Sequence, residues 1–489
     1  MPMNNPSNKE NNTSSEKSKD SSALKLISKP VTAIILAAGK GTRMKSPLPK
    51  VLHPVAGEPM IVKIIDQCFE AGIADIRVVV GHGQNLVKTV IEGKGVHFCV
   101  QQNQLGTADA VKAADVETIE GDVMILNGDH PLLLAEDLKN FIKEFREKKL
   151  DLAVVSAKLK DPGDFGRIVR HHGILKAIVE SRDASSDTLK INEVNTGIYL
   201  VNSDVLKDEL PKIQNHNSKK EYYLTDLISI SIEQRLRVDA IIGTPSAAFG
   251  VNSQSELAKA TKVTFRRKNQ ELMEDGVLMI DPKTTYIENS VKIAGGAVIY
   301  PGVFIKGKTS IGPYTVIEPG CMISDSIVED SVLIKSHSVL ESCIVKSRAK
   351  LGPFARIRPD TEIGEEAHVG NFVELKKVKF GARSKANHLT YLGDAEVGTD
   401  SNIGCGTITC NYAVDKKKYK TKIGNRVFVG SDTQFIAPIE IGDDSVIGSG
   451  STITKSVPAK ALAVARGKQF IRENYISIPA SEAELNKEK

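Results

Sequence analysis

The chain has 489 residues, enough for two or three domains, and 41% of them are hydrophobic, enough for sizeable cores. Its 65 Lys and Arg residues nearly balance its 60 Asp and Glu residues, which argues against a strongly basic surface and so against a nucleic-acid partner. The six cysteines show no Cys-x-x-Cys spacing, which argues against a metal site and favours a reduced, cytoplasmic compartment.

The amino-terminal segment 1–29 is rich in Asn, Ser and Lys and has no apolar core of the length that a signal peptide requires. We expect a disordered extension there. No stretch of the chain approaches the roughly 20 apolar residues of a membrane span, so we expect a soluble protein with no membrane partner.

A glycine-rich loop, Ile35 to Met44 (ILAAGKGTRM), follows the first predicted strand, which begins at Val31. Its two glycines allow the backbone to approach a ligand closely. The loop lacks the third glycine of a dinucleotide fingerprint and the Lys-Ser/Thr of a P-loop. Arg43 and Lys50 flank its amides, which suits a nucleoside triphosphate because the transferring phosphoryl group gains charge. The alternative is a tight turn with two solvated cations.

From Val31 to about Gly250, short apolar runs alternate with helical patterns, which predicts an α/β, Rossmann-like domain with a mostly parallel sheet. Ligands bind such sheets at the carboxyl ends of the strands. Asp129 follows one strand and is the best candidate for a Mg²⁺ ligand. Asn252 follows the last strand and is either a second oxygen ligand or a turn residue. The predicted strands are IRVVVG, VHFCV, DVMILNGDH, LDLAVVSAKL, TGIYLVN and VDAIIG.

A segment from about 255 to 274 is dense in helix formers and free of glycine and proline. It predicts a helix that connects the two halves of the chain and serves as a rigid spacer. The predicted organisation is therefore an extension at 1–29, a first domain at 30–254, a helical linker at 255–275 and a second domain with its tail at 276–489.

The second half has a period of six residues. Aliphatic residues recur at this interval from Ile287 to Ile323 and, after an apparent four-residue offset, from Ile327 to Leu375. Neither a helix nor an alternating strand has this period, whereas a parallel β-helix has three such hexads in each coil. The period breaks between Lys376 and Tyr391 and again at DKKKYKTK. We expect both interruptions to be surface loops that carry function.

His388 lies in the first interruption and is a candidate general base, because imidazole titrates near neutral pH. Acyl transfer to an amine needs such a base, since the attacking nitrogen must be unprotonated. The alternative is a structural or merely exposed histidine. Polar residues accompany it at Arg358, Lys376, Tyr391 and Asn402.

Seven motifs resemble those of the bacterial bifunctional N-acetylglucosamine-1-phosphate uridyltransferase and glucosamine-1-phosphate acetyltransferase family. In chain order they are ILAAGKGTRMKSPLPKVLHPVAGEPM, QLGTADA, LNGDHPLL, FGRIVR, INEVNTGIYL, KEYYLTD and GVNSQSEL. The resemblance runs from about Val31 to about Arg466 and includes the hexad repeats. It implies a nucleotidyltransferase domain followed by a left-handed parallel β-helix of hexapeptide repeats.

The resemblance also implies two sequential activities in cell-wall precursor synthesis. The second domain would acetylate glucosamine 1-phosphate with acetyl-CoA. The first domain, with one Mg²⁺ in each site, would then transfer UMP from UTP to N-acetylglucosamine 1-phosphate and release pyrophosphate. It further implies a homotrimer with acetyl-transfer sites between adjacent β-helices.

Individual roles follow from the same resemblance. In the first domain Asp129 and Asn252 would bind Mg²⁺, Gln101 would help to read the uracil, and Glu180 would help to hold the N-acetylglucosamine part. The whole set for UTP and its product is Leu36, Ala37, Ala38, Gly39, Arg43, Lys50, Gln101, Gly106, Thr107, Asn127, Gly128, Asp129, Gly166, Glu180, Asn195 and Asn252.

In the second domain the resemblance makes His388 the proton acceptor, with Lys418 reaching across a trimer interface unless the lysines of DKKKYKTK only solvate a loop. The residues implied at the sugar phosphate are Arg358, Lys376, Tyr391, Asn402 and Lys418. Those implied at acetyl-CoA are Cys405, Asn411, Tyr412, Ser431, Ser449 and Arg466.

Three positions depart from the family pattern. Asp109 stands where histidine is expected, Asn387 where glycine is expected, and Cys405 where alanine is expected. Two rival interpretations are a nucleotidyltransferase for another sugar, whose β-helix serves only oligomerisation or regulation, and a non-catalytic assembly subunit. The presence of Arg43, Lys50, Asp129, Asn252, His388 and Tyr391 together argues against the second rival.

Overall fold

The computed structural model describes residues 29–217, 219–473 and 475. The predicted extension at 1–29 therefore lies outside the described residues except at its last position, as does the tail from 476 onwards. Contacts divide the chain into two compact units, with the division after Phe265. This division falls within the helix predicted to link the domains, which runs Gln254–Glu274.

The first unit is an α/β domain. Its strands are β1 (Val31–Ala37), β2 (Pro54–Val55), β3 (Glu58–Pro59), β4 (Asp75–Val80), β5 (His97–Val100), β6 (Asp122–Asn127), β7 (Leu152–Lys158), β8 (Arg167–His171), β9 (Ile174–Val179), β10 (Glu193–Asn202) and β11 (Val238–Ile242). Its α-helices are α1 (Met60–Glu70), α2 (Gln84–Val90), α3 (Thr107–Lys112), α4 (Ala135–Glu147), α5 (Ser186–Leu189), α6 (Ser203–Glu209), α7 (Asp226–Glu233) and α8 (Gln254–Glu274). Short 3-10 turns are formed at Thr42–Met44, Lys50–Leu52, Val116–Thr118 and Leu210–Lys212.

The main sheet has the strand order β11-β7-β10-β6-β1-β4-β5. Its neighbours are parallel except that β10 runs antiparallel to both β6 and β7. Successive residues of a strand face opposite sides, so Ile35 packs into one apolar cluster and Ile34 into another. Helices cover both faces, which explains why the central strands are apolar throughout rather than alternating. The mostly parallel sheet predicted from the sequence is confirmed.

The second unit consists of short strands wound into coils. They are β12 (Leu278–Met279), β13 (Tyr286–Ile287), β14 (Lys292–Ile293), β15 (Val298–Ile299), β16 (Phe304–Lys306), β17 (Ser310–Ile311), β18 (Val316–Ile317), β19 (Met322–Ser324), β20 (Ile327–Val328), β21 (Leu333–Ile334), β22 (Val339–Glu341), β23 (Cys343–Val345), β24 (Lys350–Leu351), β25 (Arg356–Ile357), β26 (Thr361–Ile363), β27 (His368–Asn371), β28 (Glu374–Phe380), β29 (Lys385–His388), β30 (Tyr391–Val397), β31 (Asn402–Ile403), β32 (Ile408–Cys410), β33 (Thr421–Ile423), β34 (Phe428–Val429), β35 (Gln434–Ile436), β36 (Ile439–Ile441), β37 (Val446–Ile447), β38 (Thr452–Ile453) and β39 (Leu462–Ala463).

Each strand of this unit pairs in parallel with strands one coil before and after it. Ile299 is in register with Ile317, for example, 18 residues later in the chain. One face forms an eleven-stranded sheet, and the other faces join into a seventeen-stranded sheet. A single apolar cluster fills the interior from Leu272 to Val457. The parallel β-helix predicted from the six-residue period is confirmed.

The inward-facing series differs from the prediction after Ile323. Ile327 is 49% exposed, and Val328, Ile334 and Leu340 take the buried positions instead. The four-residue offset predicted from the sequence is therefore wrong. The series advances by five residues, from Ile323 to Val328, and then returns to steps of six.

The step of five arises where a coil turns a corner with one residue fewer. These corners contain non-glycine residues with positive φ, namely Asp325, Ser342, Lys377 and Asp394. The corner at Lys377 explains the apparent break between Lys376 and Tyr391, because the buried positions run on from Leu375 to Phe380. The first predicted surface loop is therefore wrong, since β28, β29 and β30 occupy that segment. The second interruption is a loop between β32 and β33.

Among the described residues, no helix combines the length and apolar character that a membrane crossing requires. All six cysteines carry free thiols.

Candidate active sites

The glycine-rich loop leaves the carboxyl end of β1 and packs against Lys50. Gly41 adopts the left-handed conformation, with φ of 61°, and a Cβ there would lie 2.6 Å from Lys50 Cβ. Glycine at this position therefore lets the loop and Lys50 approach each other. At Gly39 no protein atom lies within 4 Å of the position that a Cβ would take. That glycine is not required by packing, which fits close approach of a ligand to the backbone.

Four of the predicted residues converge beside this loop. Asn252 Oδ1 accepts hydrogen bonds from Arg43 Nη2 at 2.8 Å and from Lys50 Nζ at 2.8 Å. The same Lys50 ammonium forms an ion pair with Asp129 Oδ2. The side chains of Lys50 and Asp129 are only 19% and 14% exposed, so little solvent screens their attraction. One ammonium group thus joins the two predicted Mg²⁺ ligands.

Backbone contacts explain why Asp129 and Asn252 meet although they are far apart in sequence. Asp129 follows the end of β6, where the carbonyl oxygen of Leu36 accepts from Gly128 N at 3.0 Å. The carbonyl oxygen of Asp129 accepts from Val251 N at 2.9 Å. Glu256, in the first turn of α8, accepts from Asn252 N at 2.8 Å. The carboxyl edge of the sheet and the start of α8 therefore build this site together.

The electrostatics of Asp129 fit a cation site. Burial acts to raise the pKa of its carboxyl group, but the charge of Lys50, the neighbouring His130 and a hydrogen bond to Lys50 outweigh it and lower the pKa. Oδ1 of Asp129 is buried and has no hydrogen-bond partner among the described residues. His130 Nε2 lies 3.6 Å from it, and burial lowers the pKa of that imidazole. Asp129 is thus charged at neutral pH, with one oxygen still free to bind a ligand.

The predicted uracil residues form a second group at the end of β5. Gln101 is 5% exposed, and its Nε2 donates to the carbonyl oxygen of Gly106 at 3.1 Å and to Asp109 Oδ2 at 2.7 Å. Thr107 uses its hydroxyl within the fold, since Oγ1 accepts from Leu224 N at 2.9 Å. The Asp109 departure therefore bears directly on Gln101.

The predicted sugar residues form a third group. The backbone N of Asn195 donates to the carbonyl oxygen of Gly166 at 2.9 Å. A Cβ on Gly166 would lie 3.5 Å from Glu180 Oε1, so the glycine leaves room beside that carboxylate. Burial raises the pKa of the Glu180 carboxyl group.

In the β-helix, His388 ends β29 and is exposed. Asn371 lies in register with it on the preceding coil, and Asn371 Oδ1 is 2.8 Å from His388 Nδ1. An amide oxygen only accepts, so this contact favours the neutral tautomer that carries its hydrogen on Nδ1 and a lone pair on Nε2. The imidazole is therefore held in the tautomer that a general base needs.

Three cations converge on the neighbouring face. The positive charges of Arg358 and Lys418 lower the pKa of the Lys376 ammonium. Arg358 Nη1 donates to Glu374 Oε1 at 2.8 Å, and Glu374 is in register with Tyr391. Like charges repel, so such a cluster suits an anion such as a sugar phosphate. The resemblance implied that Lys418 reaches across to another chain, but in this structure it lies beside Lys376 of its own chain.

Most predicted acetyl-CoA residues stack along successive coils. The carbonyl oxygen of Cys405 accepts from Asp432 N at 2.7 Å, next to Ser431 in the chain. The carbonyl oxygen of Ser431 accepts from Gly450 N at 2.8 Å, next to Ser449. The carbonyl oxygen of Ser449 accepts from Arg466 Nη1 at 2.8 Å. These contacts align Cys405, Ser431, Ser449 and Arg466 in one row. Asn411 and Tyr412 begin the loop after β32, where Asn411 Nδ2 donates to Asp394 Oδ2 at 2.5 Å.

Asn402 is not brought to His388 within one chain. It begins β31 and is in register with Lys385, three residues before His388. A strand rises about 3.3 Å per residue, so the two lie about 10 Å apart along the strand direction. No hydrogen bond or ion pair links them among the described residues.

Comparisons with known proteins agree with this two-part architecture. Residues 32–246 match the family described as Nucleotidyl transferase, residues 284–379 match the GMPPB C-terminal domain, and residues 420–455 match the Bacterial transferase hexapeptide (six repeats). The Bifunctional protein GlmU of Bdellovibrio bacteriovorus is 66% identical over 445 residues, which cover 91% of this chain and 97% of that protein. The chain belongs to the bifunctional GlmU family.

Two further members support this assignment over the same length. The Bifunctional protein GlmU of Geotalea uraniireducens is 44% identical over 450 residues, covering 91% of this chain and 98% of that protein. That of Carboxydothermus hydrogenoformans is 44% identical over 445 residues, covering 91% and 99%. The resemblance seen in the motifs, the two-domain fold class and the expectation of a bifunctional transferase are confirmed.

The structure adds residues that the sequence did not single out. Asn371 is one coil, or 17 residues, before His388, and the correct coil length would have revealed it. Glu256 positions Asn252 through its backbone, and the Ser-x-x-Glu spacing of Ser253 and Glu256 is the signature of a helix start. His130 follows Asp129 directly and is buried beside it.

Proposed function

We propose that this chain makes UDP-N-acetylglucosamine in two steps, acetylating glucosamine 1-phosphate and then uridylating the product. The observation that carries the proposal is the joining of Asp129 and Asn252 through Lys50 at the carboxyl edge of a nucleotidyltransferase sheet, on a chain that also carries a hexapeptide-repeat β-helix. Such a product feeds cell-wall precursor synthesis.

For uridyl transfer, a phosphate oxygen of N-acetylglucosamine 1-phosphate attacks the α-phosphorus of UTP, and the bond to the leaving pyrophosphate breaks. The loop Leu36–Gly39 contacts the nucleotide, and Arg43 and Lys50 neutralise charge that develops on the phosphates. Gln101, Gly106 and Thr107 hold the uracil. The remaining sugar and strand-end residues are Asn127, Gly128, Gly166, Glu180 and Asn195.

The residues present fit a magnesium ion. Asp129 offers a charged carboxylate with a buried, unpartnered Oδ1, and Asn252 offers an amide oxygen, the hard ligands that Mg²⁺ prefers. When bound, the ion supplies charge neutralisation and orientation of the phosphates. Lys50 Nζ contacts Asn252 Oδ1 and Asp129 Oδ2, so an ion held by these two residues would compete with the ammonium group, which could then pair with a phosphate.

For acetyl transfer, the amine of glucosamine 1-phosphate attacks the thioester carbonyl of acetyl-CoA, and the thiolate of CoA leaves and takes up a proton. His388 Nε2 accepts the proton that the amine loses. Arg358, Lys376 and Lys418 bind the sugar phosphate, and Tyr391 lies beside them. The acetyl-CoA residues are Cys405, Asn411, Tyr412, Ser431, Ser449 and Arg466.

We further propose a homotrimer in which adjacent chains complete each acetyl-transfer site. The separation of Asn402 from His388 within one chain supports this, because both positions belong to the implied site. The six free thiols support a reducing, cytoplasmic location.

The test is a mass spectrum of the sugar products after incubation of the full chain with glucosamine 1-phosphate, acetyl-CoA, UTP and Mg²⁺. UDP-N-acetylglucosamine is expected. With His388→Ala only the acetyl transfer should be lost, and supplied N-acetylglucosamine 1-phosphate should still be uridylated. Unchanged acetyl transfer in His388→Ala would favour the rival in which the β-helix has no catalytic role.

A further inference from the structure

The amide of Gln101 is held from two sides. Its residue follows β5, and its backbone N donates to the carbonyl oxygen of Val80 at 2.9 Å, which fixes the chain at this point. Both partners of its side chain, the carbonyl oxygen of Gly106 and Asp109 Oδ2, lie within 3.1 Å of the same nitrogen, Nε2. The side chain is buried, so water cannot readily replace either contact.

These two partners decide which way the amide points. A backbone carbonyl and a carboxylate oxygen only accept hydrogen bonds, and a primary amide has two hydrogens on one nitrogen. If the amide were reversed, its oxygen would face two other acceptors without a hydrogen bond to either, and the carbonyl oxygen of Gly106 would keep only its bond from Ala110 N at 3.2 Å. The chemistry of the partners therefore sets the orientation, with Oε1 of Gln101 turned away from both and available as an acceptor.

A histidine at position 109, the residue expected from the family pattern, would not reinforce the amide orientation that the carbonyl oxygen of Gly106 favours. Imidazole is a donor at one nitrogen and an acceptor at the other, so it accommodates either end of a neighbouring amide. Asp109 accommodates only the Nε2 end. The departure from the family pattern thus adds an orientational constraint next to a residue implied in base recognition.

We propose that Asp109 is a specificity-determining positioning residue, which fixes the Gln101 amide so that its oxygen selects a pyrimidine carrying an N–H at position 3. Uracil carries that hydrogen, whereas N3 of cytosine is an acceptor and would face Oε1 without a bond between them. The inference rests on the proposed use of UTP by the first domain. It concerns the choice between UTP and CTP rather than the rate of transfer itself.

The experiment compares kcat/KM for UTP and for CTP with N-acetylglucosamine 1-phosphate and Mg²⁺, in the full chain and in Asp109→Asn. Asparagine has the same shape but offers either an oxygen or an NH₂ group, so only the carbonyl oxygen of Gly106 would still favour the observed orientation of the Gln101 amide. The kcat/KM for UTP divided by that for CTP should fall by about 10-fold. This factor corresponds to the free energy of one unpaired buried polar group. Glu117→Gln removes an exposed carboxylate eight residues after Asp109 that has no side-chain hydrogen bond among the described residues, and should leave the ratio unchanged.

Equal loss of kcat/KM for both nucleotides in Asp109→Asn, with the ratio kept, would mean that Asp109 only supports the fold, and would overturn the inference. Calorimetric titration with UTP and CTP in the absence of sugar phosphate distinguishes a failure of this inference from a failure of the proposed function. If the parent chain turns over neither nucleotide, the proposed uridyl transfer fails. The inference then stands only if the parent binds UTP more tightly than CTP and Asp109→Asn removes that preference.

Discussion

Lys50 is the residue that connects the proposed nucleotide site. Its ammonium group contacts Asn252 and Asp129 together, and its Cβ touches the one glycine of the loop that has positive φ. The sequence predicted Arg43, Lys50, Asp129 and Asn252 as site residues because each follows a strand or flanks the glycine loop. It could not show that one side chain bridges the others, since that depends on rotamers set by packing.

We therefore expect Lys50→Gln to lower kcat/KM for UTP by about 100-fold, because a preorganised charge facing the phosphates is removed. Pyrophosphate release measures this. Acetyl transfer by the same preparation, followed by release of CoA thiol, should be unchanged. Lys139→Gln is the matched control, because it removes an exposed lysine on α4. Equal effects of the two substitutions would show that Lys50 acts only through overall charge.

Asn371 has a comparable role in the β-helix. The sequence does not reveal it because the five-residue step from Leu375 to Phe380 interrupts the six-residue period, which hides the 17-residue coil that pairs Asn371 with His388. Its oxygen fixes the hydrogen of the imidazole on Nδ1.

Asn371→Ala should lower kcat for acetyl transfer by about 10-fold, because His388 loses its fixed tautomer and orientation. KM for acetyl-CoA should change little, since no proposed cofactor contact is removed. Asn371→Ser, which keeps a hydroxyl acceptor, should recover part of the loss. Equal damage from alanine and serine, together with a lower melting temperature, would point to a structural role instead.

At the scale of elements, the sequence predicted most strands of the main sheet and their mostly parallel direction, but not the reversed direction of β10 or the corners of the β-helix. Apolar runs marked β4, β5, β6, β7, β10 and β11 correctly, because buried central strands are apolar on both faces. That β10 runs antiparallel was not predictable from its composition. The β8 and β9 hairpin was overlooked because it is partly exposed and mixes polar and apolar residues. In the β-helix, coil corners with one residue fewer carry no distinctive residue type.

β10 also carries a buried carboxylate. Glu193 is 8% exposed and accepts hydrogen bonds from Ser156 Oγ at 2.8 Å and from Arg170 Nε and Nη2 at 3.0 and 2.9 Å. Burial acts to raise its pKa, but the hydrogen bonds from Arg170 and Ser156 outweigh burial and lower the pKa below the ordinary value of 4.5. These bonds join β7, β8 and β10.

Because the folded pKa lies below the unfolded one, the Glu193 carboxylate stabilises the fold above pH 4.5, and this contribution is lost as pH falls through the folded value. Glu193→Gln should therefore destabilise the chain by about 2 kcal/mol near pH 7 and by less near pH 4. Calorimetric melting at both pH values measures the difference. Asp187→Asn, which removes an exposed ion pair with Lys190, should show no such dependence. If the difference in the free energy of unfolding between the parent chain and Glu193→Gln were the same at both pH values, the substitution would act through packing alone.

At the scale of the whole molecule, the chain contains two units with separate cores and separate sites. The residues of the proposed nucleotide site belong to the first unit. The contacts described among these residues all lie within that unit. The acetyl-transfer site is different, because its implied residues fall into two groups on the β-helix. His388 ends β29 and Lys376 lies within β28, whereas Asn402 begins β31, about 10 Å from His388 along the strand direction.

This difference predicts that the two activities respond differently to dilution. If neighbouring chains complete the acetyl-transfer site, acetyl transfer per chain falls as the oligomer dissociates, by mass action, whereas uridyl transfer per chain does not. Both rates are measured across a dilution series whose oligomeric state is followed by mass photometry. Acetyl transfer should track the oligomeric fraction, and CoA thiol release should return on reconcentration. Acetyl transfer that persists at full rate where only single chains are detected would show that one chain holds the whole site, and Asn402 would then lie outside it.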